Sequence, residues 1–178
     1  MKNLNVDKSW TLFLDRDGVI NERIFGGYVT SADEFKFLPG VLEFLKEVEP
    51  LFGKIVVVTN QQGVAKGLMS ERNLNAVHEF MIEEIRSNGG RIDKVFAATN
   101  LRGAEVDRRK PDPAMAIEAK GDFNEIDFNR SIMVGDTDSD ILFGKNLGMK
   151  TVLIRSAEIT NEKADYTVNS VAELKDII

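Results

Sequence analysis

The chain has 178 residues, 43% of them hydrophobic and 29% charged, which fits one globular domain over residues 1–178 that buries roughly 70% of the surface its unfolded form exposes. Its formal charge of −6 argues against a nucleic acid or an acidic membrane as partner, because both are polyanions, and leaves room for a small phosphorylated metabolite held by local cations. The absence of cysteine removes disulfides, thiolate nucleophiles and thiolate-bound zinc or iron–sulfur centres; with no membrane-length apolar run and no signal-peptide core in MKNLNVDKSW, the expected location is the cytoplasm.

The first predicted element is the run Leu12-Phe13-Leu14, which leads into two acids one residue apart, Asp15 and Asp17, and then Gly18. It reads as a buried strand delivering carboxylates to its own C-terminal end. Paired carboxylates there repel each other and lose hydration, so they are tolerated mainly where a metal ion or proton chemistry offsets the cost. An acidic turn, with Asp favoured for its backbone hydrogen bonds, is the plain alternative at this point. Residues 20–37 are polar and irregular, with Gly26-Gly27 before Tyr28-Val29. They form either a mobile flap near the mouth of this strand or a connecting loop without ligand contact. After Pro39-Gly40, the spacing of Val41, Leu42, Leu45 and Val48 predicts a helix.

Ile55-Val56-Val57-Val58 is apolar at every position, as in a parallel strand covered on both faces, and ends in Thr59-Asn60. Ser70 can cap a second helix carrying Leu74, Val77, Met81 and Ile85 and closed by Asn88-Gly89-Gly90. The single histidine, His78, lies in it and reads as a surface or half-buried helical residue. Val95 to Ala98 is a third strand, followed by a loop with Arg108-Arg109-Lys110; Pro113 suits the first turn of a short helix through Ala119. A basic run is ordinarily a solvated face. This one, however, occupies the same place in its unit as Asp15 and Thr59 in theirs.

Ser131 to Gly135 is a fourth strand opening onto Asp136, Asp138 and Asp140 at the start of a helix expected over 141–147. One of these acids serves as a cap; three are not needed. Thr151 to Ile154 is a fifth strand and Tyr166 to Val168 an edge strand, and Ser170 with Glu173 reads as a capping box for a terminal helix. Alternating apolar strands and helices predict an α/β fold, a doubly wound parallel sheet with right-handed crossovers, in which ligands collect outside the carboxyl ends of the strands. Asp15/Asp17, Thr59/Asn60, Arg109/Lys110 and Asp136/Asp140 all follow strands and should meet in one crevice.

That crevice would hold carboxylates, a hydroxyl, an amide and two cations. Hard oxygen ligands without imidazole or thiolate select Mg2+, bound through one or two carboxylates plus a substrate phosphate. A carboxylate facing such a phosphate can form an acyl phosphate, with Lys110 screening the anionic encounter. Asp17 can protonate the leaving alkoxide and then accept a proton from water, a role that near neutral pH calls for a raised pKa.

The motifs LFLDRDGVI, VVVTN, RRKPDP and VGDTDSD occur in the order of the four motifs of haloacid dehalogenase (HAD) superfamily phosphatases, which the chain resembles from Leu12 to Asp140. The resemblance implies a HAD-like Rossmannoid sandwich, with Asp15 as nucleophile and Asp17 as acid/base. Thr59 and Lys110 would hold the phosphoryl group, assisted by Asn60 and Arg109. Mg2+ would be held by Asp15, Asp136 and the Asp17 backbone carbonyl, with Asp140 orienting Lys110 or a metal-bound water. DRDGVIN, Gly27-Tyr28-Val29, TNQQGVAKG and RKPDPAM are similar to the D,D-heptose 1,7-bisphosphate and histidinol-phosphate phosphatases. Only a flap and a helix fit between Asp17 and Ile55, so no large cap domain is expected. Substrate selection would fall to loops 21–29, including Asn21 and Tyr28, 61–67 and 101–109.

In one respect the chain departs from that branch. Where its members carry a Cys/His zinc loop, this chain has Ala98, Asn100, Val106 and Arg108, so a shortened loop without Zn2+ is expected. The leading expectation is a monomeric Mg2+-dependent phosphomonoesterase that hydrolyses the C7 phosphate of a heptose bisphosphate. Histidinol phosphate or another small metabolite is the alternative substrate. A non-catalytic phosphate-binding module is disfavoured by the intact acids, and a phosphomutase by the missing cap.

Overall fold

A computed structural model describes residues 4–178. Strands β1 (Thr11–Leu14), β2 (Lys54–Asn60), β3 (Lys94–Ala98), β4 (Ser131–Gly135), β5 (Lys150–Ile154) and β6 (Tyr166–Val168) form one sheet in the order β3-β2-β1-β4-β5-β6. Every pairing is parallel; Leu14 at the end of β1, for example, lies opposite Val57 on one side and Val134 on the other. The chain builds outward from β1 to β3 and then returns to β1's other flank with β4. The carboxyl ends of β1 and β4 therefore form the switch point where a crevice opens. Asp15 and Asp136 are the residues that immediately follow these two strands.

Strand alternation divides the core into two layers. Leu12, Leu14, Ile55, Val57, Ile132 and Val134 point to the face covered by α1 (Val41–Val48) and α2 (Glu71–Ser87). Phe13, Val56, Val58 and Met133 point to the face covered by α3 (Ala114–Asp122) and α4 (Asp138–Asn146). Both faces are dry, which is why the strands lack a polar stripe. Ser70 caps α2, its Oγ accepting from the Asn73 N–H at 3.1 Å. Between Asp17 and β2 there are only a loop with one 3-10 turn (Ala32–Glu34) and α1, so no cap domain is inserted. No described helix is long and apolar enough to cross a membrane. The N-terminal reading falls partly on residues 1–3, outside the described ones.

Two local expectations are corrected. Helix α4 begins at Asp138, three residues before the expected start, because Thr137 is its cap: Asp140 Oδ2 accepts from the Thr137 N–H at 3.0 Å and from its hydroxyl at 2.6 Å. The terminal segment Val171–Asp176 is a 3-10 turn rather than a capped α-helix. Ser170 makes no side-chain cap there, and Glu173 instead accepts from the Asn169 N–H at 2.9 Å.

Candidate active site

Asp15 continues from β1, its N–H still donating to the Val134 carbonyl at 2.9 Å, so the residue is fixed by the sheet itself. Lys110 enters from the loop after β3. Its Nζ lies 2.8 Å from Asp15 Oδ1 and 2.6 Å from Asp140 Oδ1, and donates to the Val58 carbonyl at 2.8 Å. Asn60 clamps the Lys110 backbone, accepting from its N–H at 2.9 Å and donating to its carbonyl at 3.2 Å. Burial disfavours the ammonium, but Asp140 and Asp15 together hold its pKa above the ordinary lysine value. Burial lifts the Asp15 carboxyl to about 6 against the pull of Lys110, with the Asp140 and Asp17 anions adding to the rise. Asp140 thus uses one oxygen to start α4 and the other to aim Lys110.

Asp17 lies in a different environment. Its carboxylate accepts from Arg16 Nη2 at 3.0 and 3.1 Å, Asn21 Nδ2 at 2.9 Å and Gln61 Nε2 at 2.7 Å. Burial pushes its pKa up, yet the Arg16 charge and the bonds from Asn21, Arg16 and Gln61 outweigh burial and hold it below the usual carboxylate value. The raised pKa expected for this acid is therefore corrected. The lifted carboxyls are Asp15 and Asp136, the latter to about 7 by burial and Asp15, against the pull of Arg23.

Arg16 is fully buried, and its Nη1 lies 3.2 Å from His78 Nε2. A guanidinium only donates, so His78 accepts through Nε2 and keeps its proton on Nδ1. The histidine is thus buried, 8% exposed, rather than at the surface or half-buried. Burial and the Arg16 charge push its pKa down to about 3.

Asp136 Oδ1 lies 2.6 Å from Arg23 Nη2, while Oδ2 is buried without a hydrogen-bond partner among the described residues. Room for Oδ2 depends on Gly18, whose φ of +87° favours glycine and where a Cβ would come within 2.1 Å of that oxygen. Asp15, Asp136 and Asp140 offer carboxylate oxygens within 4.8 Å of one another. Those of Asp140 are engaged by Lys110 and Thr137, which leaves Asp15, Asp136 and the neighbouring Asp17 carbonyl. An orphaned buried oxygen within an all-oxygen donor set fits Mg2+.

Asp15, Asp17, Lys110 and Asp140 line a cavity of about 570 Å³. Arg23 to Tyr28 form one wall, so the flap meets the site rather than merely connecting elements. Lys66, Arg102 and Arg109 also line the cavity, and Lys66 Nζ donates to the Tyr28 hydroxyl at 3.2 Å. Burial and the neighbouring Arg102 lower the Arg109 pKa. Loop 100–109 is tied by Asp107, which accepts from Asn100 Nδ2 at 2.8 Å and from the N–H groups of Gly103 and Arg109, both at 3.0 Å.

Of the residues expected to touch substrate, Tyr28, Asn60, Arg109 and Lys110 line the cavity, whereas Asn21 and Thr59 do not. Asn21 is fully buried, with Nδ2 shared between Asp17 Oδ1 and the Glu22 carbonyl. Thr59 is buried, with Oγ1 accepting from Gln61 Nε2 at 2.9 Å. Both are hydrogen-bonded to neighbouring groups of the site. Sequence reasoning gave Arg16 and His78 no role in the site and placed Arg23 and Gln61 in it only as members of the substrate-selecting loops 21–29 and 61–67. A charge between two acids at a buried strand end was the available signal for Arg16, and Gln61 stood inside the TNQQGVAKG motif.

Residues 107–174 match the HAD-hydrolase-like family model. The chain is 36% identical over 178 residues to the D-glycero-beta-D-manno-heptose-1,7-bisphosphate 7-phosphatase of Pasteurella multocida, covering 94% of this chain and 95% of that one. It is 37% identical over 150 residues to the D-glycero-alpha-D-manno-heptose-1,7-bisphosphate 7-phosphatase of Mycobacterium tuberculosis, covering 84% and 79%. Its fold superposes with a TM-score of 0.83, at 25% identity over 94% of this chain and 96% of that one, on the D,D-heptose 1,7-bisphosphate phosphatase from B. bronchiseptica, solved with magnesium and phosphate.

Proposed function

Since the chain belongs to the heptose-1,7-bisphosphate phosphatase family of HAD-like hydrolases and is a phosphoric monoester hydrolase, we propose that it removes the C7 phosphate of D-glycero-D-manno-heptose 1,7-bisphosphate. The observation that carries the reading is the arrangement of charge in the cavity. Paired acids and Lys110 stand at the strand ends, and the same cavity is also lined by Lys66, Arg102 and Arg109, cations that a second phosphate would need.

In this reading Asp15 attacks phosphorus, the bond to the sugar oxygen breaks, and the phosphoryl group is carried as an acyl phosphate. Lys110, already paired with Asp15 Oδ1, neutralises charge as nucleophile and phosphate approach. Asp17 supplies the proton to the departing sugar oxygen, then takes one from the water that releases phosphate and regenerates Asp15. Arg16, Asn21 and Gln61 orient the Asp17 carboxylate, which takes up its proton from solvent before it acts as the acid. A phosphate dianion entering beside Asp17 raises its proton affinity toward what the acid role requires. Asp15, Asp136 and the Asp17 carbonyl would hold Mg2+, which when bound supplies Lewis-acid polarisation of the phosphoryl group. The relatives act on different anomers at nearly equal identity, so identity alone does not choose between them. We place the enzyme in the cytoplasm as a monomer, a setting its cysteine-free composition suits.

The test is a phosphate-release screen with Mg2+ on both anomers of the heptose bisphosphate, histidinol phosphate and simple sugar phosphates. Preferred turnover of a heptose bisphosphate is expected, with release abolished in Asp15→Asn. Turnover of histidinol phosphate alone would overturn the substrate assignment. No turnover on any ester would turn the reading toward a phosphate-binding module, and near-normal turnover by Asp15→Asn would remove the nucleophile. Light scattering that gives more than one chain per particle would reject the monomer.

A further inference from the structure

Arg23 stands in the flap, outside every motif that describes the site, yet its guanidinium reaches the floor. Its Nη2 lies 2.6 Å from Asp136 Oδ1, 3.2 Å from the Asp17 carbonyl and 4.0 Å from Asp15 Oδ2. These belong to the same three residues assigned above to the divalent cation. Nη1 is 3.6 Å from Glu158 Oε1 at the cavity mouth, so the guanidinium spans floor and rim. An ion bound to Asp136 and the Asp17 carbonyl at roughly 2.1 Å would need the volume that Nη2 fills. A guanidinium and a divalent ion would also repel each other at that separation. The two therefore compete for Asp136 and the Asp17 carbonyl.

We propose that Arg23 is a tethered counter-cation of the acidic site, which Mg2+ must displace in order to bind; the inference rests on the metal assignment above. Four observations fit this role. Asp15 and Asp136 are buried acids that need a positive partner. Lys110 is committed to the far side of Asp15 and to Asp140. Arg23 is half-buried in an irregular segment rather than locked in a helix or strand. Glu158, a partly exposed carboxylate at the rim, remains as an anchor for the guanidinium once it leaves the floor. Because Arg23 and Tyr28 belong to the same wall of the cavity, displacement also couples metal loading to the position of that wall.

The sign of the effect separates this role from others. A residue that helped to hold the metal, directly or by shaping the site, would weaken binding when removed. A competitor strengthens binding when removed. If Arg23 occupies the site more than about four-fifths of the time, the apparent Mg2+ dissociation constant of the wild type is the intrinsic one divided by the fraction of open site, so Arg23→Gln should tighten it by about fivefold or more.

The test is calorimetric titration of the EDTA-treated, dialysed full-length chain with MgCl2, for wild type, Arg23→Gln and Arg23→Lys. Tighter binding by Arg23→Gln, with Arg23→Lys between it and wild type, supports the inference. Equal or weaker binding by Arg23→Gln overturns it while leaving the metal assignment standing. No Mg2+ binding by wild type and Arg23→Gln overturns both. A second measurement needs no folded variant: the guanidinium NMR signals of Arg23 in the wild type should shift and average on Mg2+ saturation as the bond to Asp136 is lost. Signals unchanged by saturating Mg2+ overturn the inference.

Discussion

Replacing His78 by Gln removes a titrating group while keeping an acceptor for Arg16 Nη1. Burial and Arg16 place the folded-state pKa of His78 at about 3, against an unfolded value of 6.5. A depressed folded pKa means that the unfolded chain takes up the proton first. The contribution to stability is therefore fully present above pH 6.5 and is lost progressively as pH falls toward about 3. At pH 5 the loss is RT ln(1 + 10^1.5), about 2 kcal/mol, a large share of the margin of a single domain. Asp15 and Asp136 titrate with the opposite sign, since their raised pKa values contribute stability that is lost as pH rises toward about 6 and 7. The comparison must therefore be a double difference. Urea unfolding at pH 7.5 and pH 5 should show wild type losing about 2 kcal/mol more than His78→Gln over that interval. The lone histidine also permits a direct NMR titration, in which its ring signals should stay in the neutral position down to pH 5. Equal pH dependence in both proteins, or a ring midpoint near the ordinary 6.5, would refute the reasoning.

Asp17→Asn should reduce phosphate release by at least about 100-fold, and urea unfolding should show a cost of about 3 kcal/mol, because fully buried Arg16 loses its anion. Wild-type stability in this variant would show that the pair is not what holds Arg16. Gly135→Ala would bring a Cβ within 2.1 Å of Asp140 Cβ and force α4 away from β4, so a stability loss of about 2 kcal/mol is expected from chemical denaturation, with turnover falling as Lys110 loses its aim. Asp107→Ala releases loop 100–109 and with it the backbone of Arg109; steady-state kinetics should show KM rising about threefold or more while kcat changes little. A fall in kcat with KM unchanged would place the effect at Lys110 instead.

The order of strands and helices was legible because the physics that sets it is local. Ile55 to Val58 is apolar at every position, which only a strand covered on both faces requires, and Asp15, Thr59, Lys110 and Asp136 each stand just beyond such a run or in the loop that follows it. A parallel sheet then brings strand ends together whatever the intervening sequence, so the meeting of Asp15, Lys110 and Asp136 followed from periodicity alone. The partners that share out charge among those groups depended on directions no spacing encodes. Asp15 and Asp17 are separated by one residue, so their side chains face different surroundings: Asp15 meets Lys110, whereas Asp17 meets Arg16, Asn21 and Gln61. That divergence holds the Asp17 pKa down where the sequence reading expected it to be raised. His78 read as a surface or half-buried residue because periodicity shows which helical face is apolar, not that a buried guanidinium from β1's end needs an acceptor there. Asn21 and Thr59 are buried and bonded to Asp17 and Gln61, partners that their positions in the sequence do not show. Sequence by itself determined the scaffold and the inventory of charges at one edge of it. Tertiary structure decided which charge answers which, because a side chain's pKa and partner are set by neighbours within a few ångströms, and those neighbours arrive from β1, the flap, α2 and the loop after β3 only once the sheet has formed.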